Sequence, residues 1–367
     1  MGPALRKIVT GFGISLLAVG ICLILSVAAL SWLGFGRDSG ESFSAGIGKI
    51  VSVVWEKSLL PGHHGRNWFE SLVAATPILL TGLCAAVAFR ASALNIGGEG
   101  QYVAGAIAAT VVGLHVPAVI AKAGLLIAAA VAGALLAGVA AILETWRRVP
   151  VVLSTLLLNF IAIVGVKSLL QGPLHEQGQA LQSEQLPDHA RLAHVMFDGV
   201  RTRLHTGLFL AIACAAAISF LLRYTVFGFR LRATGENLTA ARFAGIATRR
   251  ITFLSLALSG SLAGLAGGIQ ISGVPPFQLL PDTGNSGAGF TGIAVALLGR
   301  LSPAGVALAA IFFGWLQTAF ARLQTELQVP FLAAQAAQGM VLIAMLILSS
   351  GRVLPRGFPW RRGRDKV

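Results

Sequence analysis

The stretch Ala93–Gly105, ALNIGGEGQYVAG, sets a carboxylate, Glu99, and an amide, Gln101, among Gly97, Gly98 and Gly100 just where an apolar run begins. A carboxylate carried into a membrane is costly and faces a cavity or a polar partner. Clustered glycines at that place point to a broken helix whose freed backbone groups line a polar space. Two readings of Glu99 stand side by side: a group that faces a solute, or an N-terminal helix charge stabilised by the helix dipole. A second Gly-rich stretch, Asp282–Gly299 (DTGNSGAGFTGIAVALLG), shares an Asn-x-Gly start with the first, at Asn285 and Asn95. Interrupted segments at corresponding places in two inverted halves mark a solute site near the bilayer midplane. Thr155 and Asn159, in VVLSTLLLNFIA, are four apart and share a helical face. Gln270 follows a glycine repeat, and Phe277 and Phe290 flank the second Gly-rich stretch. Uncharged hydrogen-bonding groups with aromatic faces suit a neutral, polar, ring-shaped solute better than an ion. The same groups would also serve as interhelical hydrogen bonds. The substrate-pathway candidates are therefore Asn95, Glu99, Gln101, Thr155, Asn159, Gln270, Phe277, Asn285 and Phe290.

Other chemistries find little support. Gly48-Lys49-Ile50 lacks the earlier glycine and the hydroxyl residue of a phosphate-binding loop, so the chain is not expected to hydrolyse ATP. Cys22, Cys84 and Cys214 stand singly in apolar runs and read as packing residues rather than disulfide or metal partners. The seven histidines lie in or beside loops and read as surface residues. No convergent set of His, Asp, Glu or Ser appears at catalytic spacing, so no catalytic residue, metal ligand or bound cofactor is expected, and the chain reads as a transport subunit rather than an enzyme.

The elements that would hold these residues are helices in lipid. Of 367 residues, 55% are hydrophobic and 11% charged, against roughly 25% charged in a soluble domain, and the mean hydropathy of +0.78 excludes an ordinary soluble protein. Runs long enough to cross a hydrocarbon core lie near Ile8–Trp32, Trp68–Phe89, Ala93–Leu114, Val119–Leu143, Val149–Leu169, Thr206–Leu222, Ile251–Val274, Pro303–Phe320 and Pro330–Leu348, with a shorter one at Gly287–Leu298. The expected fold is all-α: one polytopic membrane helix bundle over residues 1–367, with about ten transmembrane helices and broken or re-entrant Gly-rich segments. The first run follows Arg6 and Lys7 without an A-x-A-type cleavage site and reads as an uncleaved helix. With both termini in the cytoplasm, 18 of the 28 basic residues fall on the inner side, as the positive-inside rule requires. Position thus accounts for the net charge of +14 without any nucleic acid. The basic tail Arg352–Lys366 reads as a topology anchor that also attracts anionic lipid.

Gly36–Asn67 and Gln171–His205 fall outside as periplasmic loops, the second reading as solvated. Arg223–Arg250 falls inside and carries a short helix signal: Asn237 as N-cap, an Ala-rich turn from Leu238, and Gly245 as the stop. A short, basic, partly apolar helix on such a loop is a surface for another protein to grip. Gly260, Gly264 and Gly268, at four-residue spacing, allow a second helix backbone to approach closely.

Ala75–Ala104, Ser154–Ala162 (STLLLNFIA), Gly228–Ile246 (GFRLRATGENLTAARFAGI) and Gly289–Gly299 (GFTGIAVALLG) closely resemble the permease subunits of bacterial nucleoside-type ABC importers, within the branched-chain amino acid and ribose permease superfamily. The resemblance runs from about residue 68 to 348, and the NIG-x-EGQ and GFTGIAVALLG strings are specific to the nucleoside-type branch. It implies a multi-pass protein of the bacterial inner membrane that works with an ABC ATPase subunit, which hydrolyses the ATP. It further implies a periplasmic or lipoprotein substrate-binding protein and a second permease subunit, a heterodimer more commonly than a homodimer. By the same resemblance Gly235–Gly245 is the coupling helix seated in a groove of the ATPase, with Gly235, Glu236, Asn237, Arg242, Phe243 and Gly245 as its residues. Members commonly carry Asn-Glu just before the S-T-x-x-x-N run, where this chain has Pro150, Val151 and Val152. A purine nucleoside is therefore not carried over unmodified as the solute. The alternatives are a sugar or vitamin ABC permease, or a stand-alone secondary transporter. The latter needs no ATPase-docking loop and more paired ionisable residues inside its helices.

Overall fold

The computed structural model describes residues 42–59, 66–176, 181–197, 200–274, 278–281, 287–330, 332–333, 335–341 and 343. They are mostly helical, and the helices follow the apolar runs: α1 (Phe43–Val54), α2 (Arg66–Arg90), α3 (Gly98–His115), α4 (Ala121–Arg147), α5 (Val151–Gln171), α6 (Gly207–Tyr224), α7 (Val226–Glu236), α8 (Leu238–Phe243), α9 (Thr248–Gly273), α10 (Ala288–Leu298) and α11 (Pro303–Glu326). Among the described residues six helices, α2, α4, α5, α6, α9 and α11, are long and apolar enough to cross a membrane. The expected crossing at Ile8–Trp32 and the basic tail lie outside the described residues, as do eight of the nineteen residues of Pro330–Leu348. α10 has 11 residues, about 16 Å of helix, roughly half the thickness of a hydrocarbon core.

The chain divides into two compact units. One takes in α1, α2 up to Ala74 and α11 from Phe312. In it Arg322 and Glu70 form a part-buried ion pair that joins α11 to α2. Within Gly36–Asn67 the described residues include α1, which Ser42 caps by accepting a hydrogen bond from the Ala45 N–H.

The other unit, from Ala75 to Ile311, is built on α9. Its glycines are where neighbouring backbones touch: a Cβ on Gly264 would fall on the Ala129 carbonyl of α4, one on Gly260 on the Gly133 carbonyl, and one on Gly267 on the Tyr102 carbonyl of α3. A Cβ on Gly268 would come within 2.6 Å of the Ala129 methyl. The four-residue glycine spacing therefore does what its sequence implied, and α3, α4 and α9 pack at backbone distance.

The Gln171–His205 stretch is not a solvated loop. Leu186 and Ala190 are fully buried, the Ser183 and Leu186 N–H groups donate to the Leu280 and Gln278 carbonyls, and the Leu192 N–H donates to the Ser272 carbonyl. These bonds to the end of α9 and the segment after it satisfy part of its backbone and hold Leu186 and Ala190 against apolar surface. Its last part is a two-stranded antiparallel hairpin, β1 (His194–Phe197) and β2 (Val200–His205). The hairpin overturns the reading of His205 as a surface residue: only 1% of it is exposed. Its ring is packed against Gly207 and Gly273, and its Nδ1 accepts from the Gly207 N–H at 3.2 Å. Burial, with His194 adding a smaller push, lowers its pKa to about 4.

Gly264→Ala is expected to destabilise the protein by about 1–3 kcal/mol through forced separation of α9 from α4. Gly138→Ala, on α4 with nothing within 4 Å of the added methyl, is expected to be neutral or mildly stabilising. Thermal unfolding in detergent separates the two. His205 also sets a pH dependence. The unfolded ring takes its proton near 6.5 and the folded ring near 4, so its contribution is complete above 6.5 and is lost as the pH falls towards 4. The loss proceeds by up to about 1.4 kcal/mol per pH unit. His205→Asn should flatten that slope in melts taken across the same range.

Candidate functional site

Five of the sequence-chosen pathway residues meet in one buried place. After Arg90 the chain leaves α2 through a turn with Ser92 at φ 57° and runs without regular structure to α3. Asn95 and Gln101 pair amide to amide, the Asn95 Nδ2 donating to the Gln101 Oε1 at 2.9 Å and the Gln101 Nε2 returning to the Asn95 Oδ1 at 3.1 Å. The Asn95 Nδ2 also reaches the Ser259 Oγ of α9 at 2.9 Å, and its Oδ1 accepts from the Gly97 N–H. From α5, the Asn159 side chain accepts from the Gly100 N–H at 2.7 Å and donates to the Ile96 carbonyl at 3.0 Å, while the Thr155 hydroxyl accepts from the Ile96 N–H. The helical spacing of Thr155 and Asn159 thus aims both at one broken segment. Every one of these five side chains is buried, and each hydrogen-bonds to backbone or to another side chain.

Glu99 joins the two Gly-rich stretches. Its carboxylate oxygens accept from the Gly287 N–H at 2.9 Å and the Gly289 N–H at 2.7 Å, so the charge on α3 caps the first turn of α10. Gly97 and Gly287 occupy the N-cap positions of α3 and α10, neither with a side-chain cap of its own. A Cβ on Gly289 would collide with the Glu99 backbone, so the two helix starts touch. Of the two readings of Glu99, the dipole-stabilising one describes these contacts, except that the helix it serves is α10 rather than its own. Thr81 adds a bond from its hydroxyl to the Ala288 carbonyl at 2.8 Å. Thr81 and Ser259 were missed in the sequence because a hydroxyl in an apolar helix carries no signal of where it points. Gln270 lies half-buried on α9, apart from this cluster in the hydrogen bonds it makes, and Phe290 is 45% exposed one residue beyond Gly289. Phe277 and Asn285 lie outside the described residues.

The loop after α6 forms α7 and then α8. Asn237 caps α8 as its sequence position implied, its side chain accepting from the Thr239 and Ala240 N–H groups at 3.1 Å each. Gly245 follows at φ 76°, a left-handed turn that suits glycine. Between them Phe243 is 89% exposed and Leu238 41%. Glu236, Asn237 and Arg242 are exposed as well, with the Arg242 Nε held by the Thr248 hydroxyl at 3.1 Å. Gly235 has a different place: a Cβ there would fall on the Arg90 carbonyl, and its own carbonyl accepts from the Ser92 hydroxyl at 2.6 Å. α7 is thereby tied to the turn that opens the broken segment. Arg90 in turn donates to the Leu301 carbonyl just past α10 at 2.7 Å.

The guanosine ABC transporter permease protein NupP of Bacillus subtilis is 33% identical to this chain over 337 residues, covering 90% of each. The glucose ABC transporter permease protein TsgB13 of Haloferax volcanii is 33% identical over 81% of this chain and 80% of its own. The nucleoside ABC transporter permease protein NupB of Lactococcus lactis is 30% identical over 69% of this chain and 72% of its own. Residues 67–350, which contain the polar cluster, the capped half-length helix and α8, match the family model described as branched-chain amino acid transport system / permease component, and the chain belongs to that family.

Proposed function

We propose that this chain is the permease subunit of an ABC importer and passes a nucleoside or a similar neutral, ring-shaped solute into the cytoplasm by alternating access. The observation that carries the reading is α8: a helix of 6 residues, capped by Asn237, ended at Gly245, and presenting Phe243 at 89% exposure among polar neighbours. A large aromatic in that position is a contact awaiting a partner, and the partner is the ABC ATPase, which binds and hydrolyses the ATP. Closure of the ATPases moves α8 and biases the bundle between inward- and outward-facing states through contacts that differ between the two. The bonds from α7 to Ser92, and from Arg90 to the turn after α10, give that motion a contiguous route to both Gly-rich stretches.

In this reading the two helix starts joined by Glu99 lie near the bilayer midplane, about ten crossings surround them, and both termini are cytoplasmic in a bacterial inner membrane. Asn95, Glu99, Gln101, Thr155 and Asn159 hold the broken segments beside the route. Phe290, Gln270, Phe277 and Asn285 supply aromatic and amide contacts to the solute. A substrate-binding lipoprotein delivers the solute. A second permease completes the pore, a heterodimer being favoured by the two guanosine permeases, NupP and NupQ, of Bacillus subtilis. A sugar is the second solute class, because a glucose permease is as similar to this chain as a guanosine permease.

Reconstitution with the cognate ATPase, binding protein and partner permease should give ATP-dependent uptake of labelled guanosine that Phe243→Asp or Arg242→Glu abolishes. ATP-independent flux unchanged by either substitution would refute the importer; ATPase stimulation by glucose and not by guanosine would move the solute to the sugar class. Asn159→Ala, which strands the Gly100 N–H and the Ile96 carbonyl, should cost about 1–3 kcal/mol of stability and be visible in thermal unfolding of the same complex.

A further inference from the structure

Beside α8 the Ala75–Ile311 unit carries a cavity of about 500 Å³. Glu144 and Arg148 line it from the end of α4, Leu238 and Arg242 from α8, and Thr248 and Arg249 from the first turn of α9. Three arginines thus line one space with one glutamate. Among the described residues no acid lies within ion-pair reach of Arg148, Arg242 or Arg249. One Glu144 carboxylate oxygen is buried with no hydrogen-bond partner, so the single acid present is not spent on these arginines. The 26-residue helix α9 begins here with no side-chain cap and no acid in its first turn. Its dipole adds positive partial charge where acids ordinarily gather. Arginine forks match phosphate oxygens in geometry and charge.

We propose that this cavity binds a phosphate group, chemistry shared by a glycerol-type lipid headgroup and a soluble phosphorylated metabolite, and that its occupant fastens α8 to α4 and α9. The effect on coupling rests on the reading of α8 as the ATPase-docking helix. The binding itself does not.

The full-length permease in complex with its ATPase, in phosphatidylcholine nanodiscs, is titrated with glycerol 3-phosphate by calorimetry. A parallel preparation containing phosphatidylglycerol is scored for retained lipid by native mass spectrometry. Saturable binding of either probe is expected, and which probe binds identifies the source. Arg249→Gln and Arg148→Gly should each weaken binding roughly tenfold or more, the size of a charge-assisted hydrogen bond. Glycine suits the φ of 58° at Arg148, so that variant keeps its fold. Glu144→Gln should strengthen binding by removing a like charge. An occupied cavity should also change the ATPase rate of the wild-type complex, and the two arginine variants should lose that response. Absence of saturable binding for both probes, or binding that neither arginine variant weakens, overturns the site. Binding with an unaltered ATPase rate overturns the fastening role. Loss of ATP-driven uptake by the wild type at every probe concentration would count against the importer and not against the cavity.

Discussion

Exposed backbone has no partner in hydrocarbon, so a helix can stop at membrane depth only where something else satisfies its ends. The Glu99 carboxylate, accepting from the Gly287 and Gly289 N–H groups, satisfies the first turn of α10 in this way. An 11-residue helix leaves its first turn inside the bundle. A carboxyl group that accepts two N–H bonds satisfies such a turn, and the positive end of a helix is a favourable partner for it. Neither group would be tolerable in that setting alone. Asn159 and Asn95 do the same for the start of α3, replacing the bonds that the broken segment cannot make to itself.

Holding polar groups this closely requires backbones that approach one another, and α9 makes this possible with small residues. Glycines facing Ala129, Gly133 and Tyr102 bring α3 and α4 against α9 at distances a methyl group would forbid. Ser259 sits in the same helix and donates to the Cys84 carbonyl while accepting from Asn95, so packing and polar contacts share one surface. Around this centre the exposed residues along the middles of α4 and α5, such as Leu135, Leu157 and Phe160, are apolar, as a lipid-facing side requires, with Lys122, Arg147 and Lys167 exposed nearer the ends. The buried polar groups sit within a largely apolar interior, and the outward face is apolar as well.

The connection from α8 to the two helix starts uses short bonds at both steps. Gly235 brings α7 onto the last turn of α2, Ser92 fixes it there, and Arg90 reaches past α10 to Leu301. These contacts set α7 and the turn after α10 against structure that is braced by Glu99 and Asn159.

The amino-acid sequence by itself determined that this is a membrane helix bundle, where most described helices lie, and how α8 is capped, because hydropathy, helical spacing and cap chemistry act over a few neighbouring residues. It also put Asn95, Glu99, Gln101, Thr155 and Asn159 among nine pathway candidates, since buried polar residues in an apolar run need partners. Which partners they take was decided by the tertiary structure alone: that Glu99 caps α10 almost two hundred positions along the chain, that His205 is buried under its hairpin, that Gln171–His205 lies against the segment after α9, and that Gly235 meets Arg90. The physical reason is the same in each case. A hydrogen bond or a close backbone contact between distant segments depends on how helices stack in three dimensions, and no local periodicity records that.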